Sequence, residues 1–266
     1  MADFTAKDVQ ALRQATGAGM MDAKRALEEV AGDMDQGKKL LREKGLAKAS
    51  TREDRENTEG AIAIARAPGG AALVELKCET DFVAKSDAFT QLAQQAADTV
   101  AAEGPSSVDR FKDEIDTLKV TLKENIEIGR AVSVDVGSGQ VVDTYLHRQE
   151  GRGVNGVIVV LDGGSAELAH GIAVHIAFTK PEYLSRDEVP EDLLTAERET
   201  LTTISRAEGK AEAALPKIIE GRLAGWYRNL VLVDQPFVRD EKQTIAELAK
   251  SGSAEIVSFA QLYLGA

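Results

Sequence analysis

Between Gly60 and Cys78 apolar residues recur at every second position. AIAIARA and ALVELKC flank Pro68-Gly69-Gly70. Two alternating runs across a tight turn predict a β-hairpin. In the second run Val74, Leu76 and Cys78 point one way and Glu75, Lys77 and Glu79 the other. That predicts one buried face and one wet face. A half-buried hairpin cannot stand alone in water and needs a covering layer.

The covering elements are helical. In the first 46 residues the apolar residues follow a helical period instead. Thr5 can cap a first helix carrying Val9 and Leu12, and Gly17-Ala18-Gly19 breaks it. A second runs from Met20 to Val30, ending at Gly32-Asp33. A third passes Leu40 and Leu41 and is expected to stop at Gly45. AKASTREDRENTE reads as a linker. After the hairpin, Ser86-Asp87 opens a helix with Phe89, Leu92, Ala93, Ala96 and Val100 on one stripe.

The pattern then repeats. AVSVDV, VVDTYLH and GVIVVLDG read as strands joined by glycine-containing turns, the second of them GRGVNG. Ser165 opens a helix with Leu168, Ile172, His175 and Ile176 inward. Pro190 and Pro216 each open a further helix, which suits a helical hairpin. The fold class predicted is α+β, with two similar halves. The expected divisions are an N-terminal module and linker at 1–54, a first core half at 55–140, and a second at 141–184 with 228–240. A helical hairpin at 185–227 and a small C-terminal module at 241–266 complete them.

Charge and composition narrow the function. Apolar residues make up 43% of the chain, enough for a packed core. The net charge of −12 argues against nucleic acid and against an anionic membrane surface as partners. The single cysteine, Cys78, rules out an intrachain disulfide and reads as a small buried residue. The N-terminus MADFTAKDVQ lacks a signal-peptide core, so a reduced, cytoplasmic protein is expected. No nucleophile, metal or cofactor arrangement emerges, so an enzyme is not expected and no cofactor is assigned.

The corner Thr80-Asp81-Phe82-Val83, between the second strand and the next helix, allows two readings. Phe82 folds into the core while Asp81 shapes a turn, or Phe82 is presented as a wedge beside a carboxylate. Met20 and Met21 are equally open, as core filling or as an adaptable contact surface. Of the three histidines, His147, at a strand end beside a turn, is the one offered to a partner.

Several long motifs stand in a fixed order: LRQATGAGMMDAKRAL, LKCETDFVAKSDAF, YLH before the glycine-rich stretch, AFTKPEYL, KIIEGRL and QPFVRD. Together they resemble the bacterial elongation factor Ts family over nearly the whole chain. The resemblance implies an exchange factor for the translational GTPase elongation factor Tu. It implies a three-helix module like a ubiquitin-associated domain, and a partner interface at the TDFV corner. There Phe82 would insert between helices beside the nucleotide site, and Asp81 would perturb the surroundings of the Mg²⁺ ion. Leu12, Met20 and Met21 would contact the same G domain, and His147 another domain. Self-association through the helical hairpin is left open. The alternative is a GTPase-binding or chaperone-like module that holds its partner without exchanging nucleotide.

Overall fold

A computed structural model describes residues 4–52 and 54–265. The first three residues of the polar N-terminus, and Glu53 of the expected linker, lie outside the described residues. The chain is α+β, with antiparallel sheets. It begins with α1 (Ala6–Thr16), α2 (Met20–Glu29) and α3 (Met34–Ser50). Thr5 caps α1 through a reciprocal capping box with Asp8. Leu12, Ala23, Ala26 and Leu27 close a small core between the three helices.

Gly45 does not end α3, which continues to Ser50. A Cβ at Gly45 would lie 2.6 Å from a Val120 methyl. Close packing of α3 on a later helix, rather than termination, accounts for this glycine. Arg42 reaches Asp113 at 2.9 Å across the same seam.

Next come β1 (Glu59–Ala67), β2 (Gly70–Cys78), α4 (Asp81–Ala84), α5 (Asp87–Glu103), α6 (Lys112–Leu122) and β3 (Ile126–Asp135). The order β1-β2-β3 makes AVSVDV the edge of the first sheet, inside the expected first half at 55–140 although its pattern groups it with the two strands that follow. Phe89, Leu92, Ala93, Ala96 and Val100 of α5 pack on Val74, Leu76 and Cys78, as their spacing predicts.

The second sheet is β4 (Val141–Gln149), β5 (Arg152–Gly163) and, after further helices, β8 (Ala254–Tyr263). Between them lie α7 (Ala166–Thr179), α8 (Glu191–Ala207), α9 (Leu215–Leu230), the short pair β6 (Pro236–Phe237) and β7 (Asp240–Thr244), and α10 (Ile245–Ser251). The expected C-terminal module at 241–266, of which Ala266 lies outside the described residues, does not stand apart: β8 pairs with β5 from Gly163↔Ala254 to Asn155↔Tyr263. The central strand β5 thus has β4 on one edge and β8 on the other. The feet of α8 and α9 meet, with Leu232 N–H donating to Tyr183 O at 2.9 Å and Tyr183 N–H to Leu230 O at 3.1 Å.

The two sheets pack face to face. Ile62, Ala71 and Leu73 of the first meet Ile158, Val160 and Leu262 of the second. The face of β2 predicted to be wet is therefore partly buried. Glu75 is enclosed and held by Arg130 at 2.9 and 3.1 Å, while Arg130 also donates to Tyr263 O at 2.7 Å. The layers run helix, sheet, sheet, helix, with α5 and α7 outermost.

The stretch GRGVNG is mostly strand, not turn. Only Glu150 and Gly151 form the loop, and Gln149 already pairs with Arg152. Gly153 and Gly156 lie within β5, where a Cβ would come 2.1 Å from Ile62 O and 2.5 Å from Leu73 Cδ2 respectively. These glycines let the sheets approach.

His175 is fully enclosed on α7. Its Nδ1 accepts from Val238 N–H at 3.3 Å, so its Nε2–H donates to Gln235 Oε1 at 2.9 Å. Burial outweighs the Gln235 hydrogen bond and holds its pKa below the ordinary 6.5. The folded state therefore keeps the neutral ring, while the unfolded chain takes up a proton as pH falls below 6.5. Stability is full above that pH and declines toward the lower folded pKa, by at most about 1.4 kcal/mol per pH unit. Denaturant titrations at pH 7.5 and 5.5 should show this loss in the wild type and a smaller one in His175→Gln; equal losses would contradict it.

Candidate functional site

Where β2 ends, the chain turns once through α4 and again into α5. Thr80 is extended and caps α4, accepting from Val83 N–H at 3.4 Å. Ser86 Oγ–H donates back to Val83 O at 2.8 Å. The anchor is Glu124, just before β3. Its carboxylate accepts from Glu79 N–H at 3.1 Å, Thr80 N–H at 3.0 Å and the Thr80 hydroxyl at 2.5 Å. Glu79 in turn accepts from Asn125 N–H at 2.7 Å. Two carboxylates thus fasten the corner to the neighbouring strand.

The corner's inner side is apolar. Val83 and Ala84 join the core that contains Phe89. A single helical turn that buries these two must direct the preceding side chain outward. Phe82 is 83% exposed, so it does not fold into the core. Beside it the Asp81 carboxylate accepts from Lys85 Nζ at 2.6 Å. That hydrogen bond holds the Asp81 pKa below the usual carboxylate range and raises that of Lys85. Lys85 also pairs with Glu150, on the β4–β5 loop.

Beneath the corner, Cys78 Sγ–H donates to Thr80 O at 3.2 Å. Burial pushes this thiol up to about 12, so it serves as packing and not as a nucleophile.

The sequence-predicted residues therefore divide. Phe82 is presented, Asp81 and Thr80 are half-buried, the one in its ion pair with Lys85 and the other in its cap, and Val83 is buried. Met20 and Met21 are 46% and 58% exposed at the start of α2. Leu12 does not share that surface: it is fully enclosed, against Gly37 and Leu27. Its part is to hold the helix that frames the methionines. His147 is exposed on β4, its Nδ1 3.5 Å from the Tyr145 hydroxyl. Three residues along the chain, Glu150 reaches Lys85, so the His147 strand and the Phe82 corner are linked by one ion pair. The methionines belong to the separate helical layer that rests on α6.

The family whose sequence model is described as Elongation factor TS matches residues 79–266, beginning at the residue that enters this corner. Elongation factor Ts of Renibacterium salmoninarum is 43% identical, with both chains covered in full. The chain belongs to the elongation factor Ts family. Two further members, from Clavibacter michiganensis and Micrococcus luteus, are 42% and 40% identical, again over both whole chains. Residues 1–78 lie outside the family match but inside these full-length similarities.

Sequence reasoning missed four residues of this chain. Lys85 was legible, since it stands four residues after Asp81 on a helical start. Glu124 and Glu150 were not, because each acts far along the chain from the residue it meets. Phe178, near the end of α7, is also 78% exposed, although Ile172, His175 and Ile176 earlier on that helix are buried.

Proposed function

We propose that this protein is a guanine nucleotide exchange factor, promoting GDP release from elongation factor Tu during polypeptide elongation without covalent chemistry of its own. Family membership supplies the activity. The observation that carries the mechanism is Phe82, held out in solvent by a corner anchored on both sides.

An aromatic ring exposed to water gains free energy when a partner buries it, roughly 1.5–3 kcal/mol. Each tenfold loss of nucleotide affinity requires about 1.4 kcal/mol of differential binding. Phe82 alone therefore supplies about one to two powers of ten. The remainder falls to Asp81, to Met20 and Met21 on the helical layer, and to His147 on the second half of the core. Linkage sets the rest. A factor that binds the empty GTPase better than the loaded one weakens nucleotide by the same ratio. Mg²⁺ at the partner's phosphates tolerates little distortion of its octahedral shell, so a ring and a carboxylate entering beside it act strongly. Thr80, Val83 and Leu12 take supporting roles in this reading.

The finer architecture belongs to the same proposal. The three N-terminal helices act as a ubiquitin-associated-like docking module, with α8 and α9 as a hairpin inserted at about 185–227 and available for self-association. The C-terminal boundary is redrawn so that β8 counts with the second core half. An acidic chain of this kind works in the cytoplasm with a protein partner, not nucleic acid or membrane.

Stopped-flow release of fluorescent GDP from elongation factor Tu tests the activity. Acceleration by the protein, saturating with its concentration, is expected. Binding without acceleration would replace exchange by a holding function.

A further inference from the structure

We propose that Glu150 and Lys85 form a positioning clamp, which sets the angle at which the Phe82 corner meets its partner. The proposal rests on the exchange reading above. Lys85 Nζ lies between two carboxylates, Asp81 on its own helical turn at 2.6 Å and Glu150 on the opposite half of the core. The Lys85 side chain is 28% exposed, so it is well placed to bridge rather than to wander in solvent.

Glu150 stands where local preference disfavours it. With Gly151 it forms the two-residue loop of the β4–β5 hairpin, and the two have φ of 52° and 87°. That is the type I′ arrangement, which favours Asn, Asp or Gly at its first position. A longer side chain in left-handed backbone is disfavoured. A residue kept in such a conformation next to a functional site points to a role for its side chain.

The hairpin also has its own fastening. Arg152 donates to Gly60 O at 2.7 Å and to Glu59 at 2.6 Å, fixing the loop to the start of β1. Glu150 is then carried on a stiff support, and its carboxylate steadies the corner from outside. Glu124, Val83 and Ala84 steady it from within.

Exposed ion pairs add little to stability. The clamp should therefore register in exchange and not in folding. In Glu150→Asn the loop gains a residue suited to left-handed backbone while Lys85 loses its outer partner. The melting temperature should hold or rise. The maximal GDP-release rate at saturating factor should fall about tenfold, short of the loss of about a hundredfold that an ångström of misplacement can bring. Glu150→Gln, which keeps the chain length, should lose the same rate.

Phe82→Ala, run beside them, separates the two levels of the argument. Wild-type rates in both Glu150 variants with a slow Phe82→Ala would overturn the clamp and leave the exchange reading standing. An unaffected Phe82→Ala would overturn the reading of the corner itself. A rate loss matched by a fall in melting temperature would reduce Glu150 to a turn residue, and the clamp would fall.

Discussion

Phe82→Ala slows GDP release from elongation factor Tu by about one to two powers of ten at saturating factor, with the fold intact. The expectation follows from where the ring stands. At 83% exposure it contributes almost nothing to its own molecule's core, so its removal leaves no cavity. The features that build the corner are all elsewhere: the Thr80 cap, the Glu124 carboxylate, and buried Val83 and Ala84. The variant therefore presents the same bend without the ring. If the ring acts only after docking, the concentration for half-maximal effect changes less than the maximal rate, since the contacts proposed for Met20, Met21 and His147 are untouched by the substitution. Unchanged release by a folded Phe82→Ala would remove the wedge from the mechanism. An equal loss of affinity and rate would make the ring an anchor instead.

Why the sequence left Phe82 undecided is a matter of length. Alternation over the long runs of β1 and β2, and the stripe of α5, settle their orientation because many residues vote together. A single turn of four residues has no period to read. Local chemistry was legible elsewhere: the Thr5 box, the Ser165 cap and the proline before α8 all lie within a few residues of the backbone groups they meet. What was lost was long-range. Nothing near Glu124 announces that it anchors Thr80, 44 positions away. Nothing in residues 254–263 announces that they complete a sheet begun at Val141. Glycine was the most deceptive signal. Its helix-breaking tendency, about 1 kcal/mol, is overridden in α3 by the close fit of Gly45 on Val120. The roles assigned to Asp81, Met20 and Met21 came from the family resemblance, and for His147 the residues alone pointed to a partner without saying which.

The same confusion of glycine as turn with glycine as contact yields the largest stability effect expected here. Gly153→Ala should destabilise the protein by about 3 kcal/mol, at the upper end of the usual range for overpacking. A Cβ there would come 2.1 Å from the Ile62 carbonyl oxygen and 2.7 Å from Leu146 Cδ1. The first is backbone of the opposing sheet, so relief requires one sheet to move away from the other. Gly156 offers a control on the same strand. Its added Cβ would meet Leu73 Cδ2 at 2.5 Å and Ile62 Cγ2 at 3.0 Å, and side-chain ends can rotate. Gly156→Ala should lose about half as much, because relief there needs only rotamer changes. For a chain of this size the larger loss corresponds to a fall in melting temperature of roughly 6–12 °C. Equal and small losses in both variants would mean that the sheets have slack between them. A large loss only in Gly153→Ala would place the close contact at the carbonyl of Ile62. That contact lies three residues beyond Glu150, so the variant should also loosen the loop that carries the clamp. Its surviving folded fraction should accelerate GDP release from elongation factor Tu less than wild type does, in proportion to how far the hairpin has shifted.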